Sequence, residues 1–286
     1  LLDLDKHSWP WSLMLIPVMD VDLFELANNH VWRTEFGFRK WTIDVVPEWM
    51  QIERDQDGLT EWGWIDFGFK TYYAFLNCGF RLRPTAGTAS GVHPVPLGFG
   101  RVYVQVPGTF SYEKWMRGLD RGRSFVTTGP MLFVDVANRP PGATIKSRGA
   151  MTVRVQGHAE STSPLKAIEV VVNGEVAQRL QADNKRTEQG TYHCPVDTQV
   201  RVNRSSWVAV RVFEDRPDKR VRFAHSSPVH IDIAGRPLRP RKVEVGYFIR
   251  RMQEEIDRNR EVLKPEELVE YEQALKTFVE IRERAR

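Results

Sequence analysis

AIEVVVNGEV, residues 167–176, reads as a β-strand running into a tight hairpin. Its β-branched run stops at Asn173-Gly174, two residues that tolerate the positive φ angles of a type I′ turn. Further short apolar runs lie on either side: Leu132–Val136, Met151–Gln156, Thr191–Val196, Ser206–Phe213 and Pro228–Ile233. Turn-forming stretches separate them, among them Pro140-Pro141-Gly142 and Asp215–Lys219. Six strands with no helical periodicity between them predict a β-sandwich over residues 131–240. Beyond Pro237–Pro240 the spacing turns helical, with Phe248, Met252 and Ile256 on one face. A second helix is expected from Pro265, carrying Leu268, Tyr271, Leu275 and Phe278. Residues 241–286 are therefore expected to form a helical hairpin packed on the preceding domain, its balanced charges facing solvent.

Toward the N-terminus the pattern mixes. Val21–Leu26 suits a strand, and Asp66–Gly79 a helix closed by its glycine. Arg101–Val106 alternates as a strand does, and Ser111 offers an N-cap to a helix that Gly122 ends. Arg123–Thr127 is a further strand. Strand–helix–strand order of this kind favours an α/β layer or barrel over residues 1–130. Eight of the nine tryptophans (Trp9, Trp11, Trp32, Trp41, Trp49, Trp62, Trp64 and Trp115) lie in this part, as core or as a pocket wall.

Composition narrows the function classes. With 41% hydrophobic and 27% charged residues, the 286-residue chain has the make-up of a folded protein. A net charge of +4 does not call for nucleic acid as a partner, and no apolar run approaches the length of a membrane span. Cys78 and Cys194 are too few for a disulfide framework or a four-thiolate zinc site, and they do not fix the redox compartment. No nucleophile elbow, phosphate loop or dinucleotide fingerprint is present. The glycine-rich Ala86–Gly91 lacks a phosphate-cradle lysine and reads as a tight turn.

The histidines remain. His158, His193 and His230 fall on expected strands, where an imidazole needs no special role, and His225 sits at a strand entrance among small polar residues. His7, His30 and His93 lie in the α/β part. Imidazoles and carboxylates in loops that follow parallel strands converge on one face of such folds, so His7 and the Glu25–His30 loop form a candidate metal site.

The ordered motifs DKHSWPW, DLFELANNHVWR, NCGFRLRPTAGTASGV, LGFGRVYVQV and GRSFVTTGPMLFVDV resemble those of PHP-type metallohydrolases of the CehA/McbA group, named for carbaryl-hydrolysing esterases. The resemblance covers residues 1 to about 140 and extends onward through PPGATI, VVNGEV and RFAHSSPVHI. It implies a partial, distorted β/α barrel holding divalent metal (zinc, manganese or iron). Its activity would be hydrolysis of an ester, carbamate or phosphoester in a small-molecule substrate. By resemblance His7 and His93 are metal ligands, Glu25 and His30 catalytic groups, and Asn28 and Trp9 substrate contacts. Two departures accompany it. The family's opening H-x-H is expected before Leu1, and its final Asp-x-His turn is replaced by Ala89-Ser90-Gly91, where Ala89 cannot coordinate. The alternative reading is a metal-poor, non-catalytic relative that binds a ligand through its aromatic cleft and sandwich.

Overall fold

A computed structural model describes residues 1–5, 9–32, 45–89 and 94–286. Along the chain run β1 (Asp3–Leu4), α1 (Pro10–Val18), β2 (Leu23–Ala27), β3 (Arg54–Asp55), β4 (Gly58–Leu59), α2 (Glu61–Cys78), β5 (Arg83–Ala86) and β6 (Arg101–Val104). Next come α3 (Tyr112–Asp120), β7 (Ser124–Thr127), β8 (Met131–Val136), β9 (Thr144–Ser147), β10 (Met151–Ser161), β11 (Leu165–Val172) and β12 (Glu175–Gln181). The remainder is β13 (Lys185–Arg186), β14 (Tyr192–Val202), β15 (Ser206–Glu214), β16 (Phe223–Ser226), β17 (Val229–Ile233), α4 (Lys242–Asn259) and α5 (Pro265–Glu283). The fold thus mixes helices with several sheets and closes on a helical pair.

Contacts divide the chain into two compact units. The first gathers Leu1–Glu25, Phe38–Leu82 and Leu238–Arg286. Within it β1 and β2 pair in parallel, Asp3 with Leu23 and Leu4 with Phe24, and α1 is the crossover between them. Pro10 opens α1 at its first turn, where its missing N–H costs nothing. The long helix α2 is apolar on nearly every face and buried almost throughout, as a core helix must be. Thr60 starts it by accepting the Gly63 N–H at 3.0 Å. Gly79 stops it at φ +103°, a conformation that favours glycine.

The helical pair belongs to this unit. Phe248 of α4 stacks on Phe75 of α2 with ring centroids 4.2 Å apart, and Phe278 of α5 stacks on Phe248 at 5.0 Å. Asn77 also donates to the buried Glu244 carboxylate at 2.9 Å. The helical hairpin expected at 241–286 on the preceding domain therefore packs instead on α2 of this unit. Charge balance described the outer faces of these helices, while the aromatic stack decides where they pack.

The second unit comprises Leu26–Gly37 and Arg83–Pro237. Its four-stranded sheet has the order β13-β14-β10-β8. Its large sheet runs β12-β11-β15-β16-β7-β6, with β17 pairing both β15 and β9. Inward side chains of both sheets, including Leu132, Val153, Val155, Val196, Val210, Val212 and Ile231, form one apolar core. The expected division between residues 130 and 131 cuts this arrangement, because β7 pairs with β16 (Val126 opposite His225) and β6 with β7. Backbone pairing across these strands outweighs the change of sequence texture at Met131. The Asn173-Gly174 hairpin forms with φ of +52° and +90°.

A polar ladder crosses the large sheet on the face away from that core. Arg179, Glu169, Arg211 and His225 occupy facing positions on β12, β11, β15 and β16. The Arg211 Nε donates to Glu169 at 2.6 Å, and Arg179 lies 2.5 Å from the other carboxylate oxygen. Glu169 and Arg211 are both buried, so each supplies the charge compensation the other needs.

Candidate functional site

The residues singled out in the N-terminal part separate into described and undescribed positions. His7 and His93, with Ser90 and Gly91, lie outside the described residues. Trp9 precedes α1 at its N-cap position; it is part-exposed and lies near Trp11, with ring centroids 6.4 Å apart. Glu25 is half-buried on β2. Asn28 and His30 sit in the segment that follows. The Asn28 Oδ1 accepts the His30 backbone N–H at 3.0 Å, which starts a single 3-10 turn over Asn29–Val31. Both side chains are buried. Ala89 is exposed at φ +41°, in the segment read as a tight turn. Thr88 beside it exchanges hydrogen bonds with the Gly100 backbone at 3.1 and 3.2 Å.

His225 is fully buried in β16, and its Nδ1 donates to the Ser226 carbonyl at 2.7 Å. Burial holds its imidazole down at about 3 and the neighbouring Arg211 adds to this, although the hydrogen bond to Ser226 works the other way. It is therefore neutral at physiological pH and acts as a buried polar group.

A different constellation lies on the outer face of the four-stranded sheet. His158 and Glu160 alternate on β10, so they share a face, and His193 of β14 is directly opposite Glu160. The His193 Nδ1 is 3.3 Å and the His158 Nε2 3.6 Å from the same Glu160 oxygen. The two imidazole rings lie 4.8 Å apart at 29°. All three donor atoms fall within 4.8 Å of one another, and among the described residues this is the one group of three such side chains. It could hold a metal ion. The His158 imidazole is held below its ordinary pKa by burial first and by His193 second, with Glu160 opposing.

An aromatic path leads away from this group. His158 packs on Phe133 at 5.0 Å, Phe133 meets Phe125 edge-on at 5.8 Å, and Phe125 stacks on Tyr103 at 5.3 Å. These rings, with Arg123 and Gln156, line a cavity of about 600 Å³, a size suited to a small organic molecule. Gly157 makes its wall possible. At φ +143° it brings β10 so near β8 that a Cβ would sit 2.0 Å from the Phe133 carbonyl oxygen.

Taken one at a time, His158 and His193 are ordinary strand residues in the sequence. Half of the signal was present, in the i, i+2 spacing of His158 and Glu160. His193 stands 33 residues from Glu160, and only the strand register brings it in. Among the described residues no helix is long and apolar enough to cross a membrane. Comparison of the chain with family models, curated proteins and solved structures yields no match.

Proposed function

We propose that the chain belongs to a metal-dependent hydrolase of the PHP type, similar to the CehA/McbA group, acting on an ester, carbamate or phosphoester. The observation that carries this reading is the parallel β1–α1–β2 unit, whose second strand bears Glu25 and runs directly into the Asn28-capped turn of His30. Segments that follow parallel strands are where β/α folds assemble their chemistry, and in the sequence DKHSWPW follows β1 while the end of DLFELANNHVWR follows β2. The distorted barrel is part of the proposal. The described residues of this region do not by themselves make a three-donor metal set. The reading therefore needs His7 and His93 as ligands, with Glu25 and His30 serving the attacking water. A divalent ion there would lower the pKa of its bound water and stabilise the developing oxyanion. Asn28 commits its Oδ1 to the turn, which leaves its amide nitrogen as the substrate-contacting atom, and Trp9 would form part of the cleft wall.

The test is metal analysis of intact protein purified without chelator, followed by assay on a panel of aryl esters, carbamates and phosphoesters. Near-stoichiometric zinc, manganese or iron is expected, and His30→Ala should lower the best turnover by about 100-fold or more. Protein that stays metal-free and hydrolyses nothing with added manganese or zinc would overturn the assignment.

A second reading, binding without turnover, is favoured by the aromatic-lined cavity between Tyr103 and His158. It expects an aromatic ligand to bind with an affinity that Phe133→Ala lowers and His30→Ala leaves unchanged.

A further inference from the structure

The geometry points to a second metal site, independent of the proposed hydrolase centre: we propose that His158, Glu160 and His193 bind a divalent transition-metal ion, zinc in the first instance, on the outer face of the four-stranded sheet. Two imidazole nitrogens and one carboxylate oxygen suit zinc, whereas calcium and magnesium favour all-oxygen shells. The scaffold is rigid. β10 and β14 pair without a break from Met151 opposite Val202 to Ser161 opposite Tyr192, which fixes the Cα positions of all three ligands.

Donors on a tetrahedral zinc ion stand about 3.3 Å apart, given metal–donor distances of about 2.0–2.2 Å. The two pairs involving Glu160 are already at 3.3 and 3.6 Å. The stacked imidazoles must tilt so that their lone pairs converge, and this takes only side-chain rotation because His158 and His193 are 36% and 38% exposed.

The surrounding charges allow the site. Lys185 on β13 faces His193, but its ammonium pairs with Asp183 at 3.1 Å. Across β10 the facing residues on β8 are Phe133 and Met131, which carry no charge. A plain surface ion pair would also place one histidine on Glu160. It gives no reason for two imidazoles to converge on one carboxylate oxygen. Three protein ligands leave a coordination position for water or an anionic group. Since His158 also lines the aromatic cavity, that position would border a space suited to an organic molecule.

The test uses intact, chelator-stripped protein and zinc chloride in equilibrium dialysis, with ¹H–¹⁵N spectra of the histidine side chains. Saturating zinc should shift the His158 and His193 imidazole nitrogens. The His158→Ala/His193→Ala double variant should lose one zinc equivalent, and Glu160→Gln should weaken that equivalent by at least about tenfold. His30→Ala should retain it, so failure of the proposed hydrolase centre and failure of this site give different results. A melting temperature of the double variant within a few degrees of the parent shows that the sheet persists. If it falls further, Glu160→Gln alone carries the test. Imidazole signals that do not move under saturating zinc would overturn the proposal, as would parental stoichiometry and affinity in both variants.

Discussion

The two compact units bury their apolar surface with very different reach along the chain. The two-sheet unit builds its core mainly from one stretch, residues 83–237, in which strand after strand presents alternate residues inward. The helical unit draws on three separated segments, and its contact between Asn77 and Glu244 spans 167 positions. A core made of neighbouring strands leaves a repeating pattern in the sequence. A core made of distant helices leaves only amphipathic faces whose partners are unspecified. The texture of a segment thus identifies its element well and its packing partner poorly.

The largest effect is expected at the aromatic stack. Phe248→Ala removes a fully buried ring lying against Phe75 and Phe278, and should cost about 3–5 kcal/mol in urea unfolding. Hydrogen exchange should speed up in α2 and α5 far more than in β10 and β14. Equal loss of protection in all four would contradict the division into two cores.

Acid should act on the other unit. His225 is buried neutral with its pKa lowered from 6.5 to about 3, so between those values the unfolded chain binds the extra proton. Its contribution is fully present above about pH 6.5 and is lost as pH falls toward 3. Between pH 7 and pH 4 the loss from this one group is roughly 3 kcal/mol. Urea midpoints across that range should fall less steeply in His225→Gln than in the parent. Parallel slopes would remove His225 as the origin.

Gly157→Ala strains the strand that carries His158 and Glu160. The added Cβ meets the Phe133 carbonyl at a positive φ, so β8 must shift from β10 at a cost of about 2 kcal/mol. Thermal denaturation reads the stability, and the chemical shifts of the His158 ring, which packs on Phe133, should move. The smallest effect is expected at Thr60→Ala, which deletes the cap of α2 and should cost about 1 kcal/mol. A loss several times larger would mean that Thr60 does more than cap; its hydroxyl also lies 2.5 Å from Glu53.

Particular residues show how far the chain could be read in advance. Each of the six strands expected between residues 131 and 240 overlaps an observed strand, and the Asn173-Gly174 turn falls where its chemistry requires. The strand β12, EVAQRLQ, escaped notice because it is exposed and polar and carries no apolar alternation. β16 escaped because FAHS is buried on both faces, so no alternation exists to detect. Helix α1 was hidden by Pro10 and Pro17, although the first occupies a position where proline is welcome. For the sites, the motifs directed attention to Glu25, Asn28 and His30, while His193 gave no sign of its partnership with Glu160.

Local sequence set where strands alternate, where Asn173-Gly174 turns the chain, and where Ser111 and Gly79 start or stop helices. These outcomes depend on neighbours a few residues away, through φ preference, capping and periodicity. Tertiary structure decided the rest. It put the C-terminal helices on Phe75, joined β7 to β16, laid Arg179, Glu169, Arg211 and His225 in one row, and set His193 opposite Glu160. Such pairings follow from strand register and from the global competition for burial, and a single residue type carries no record of either.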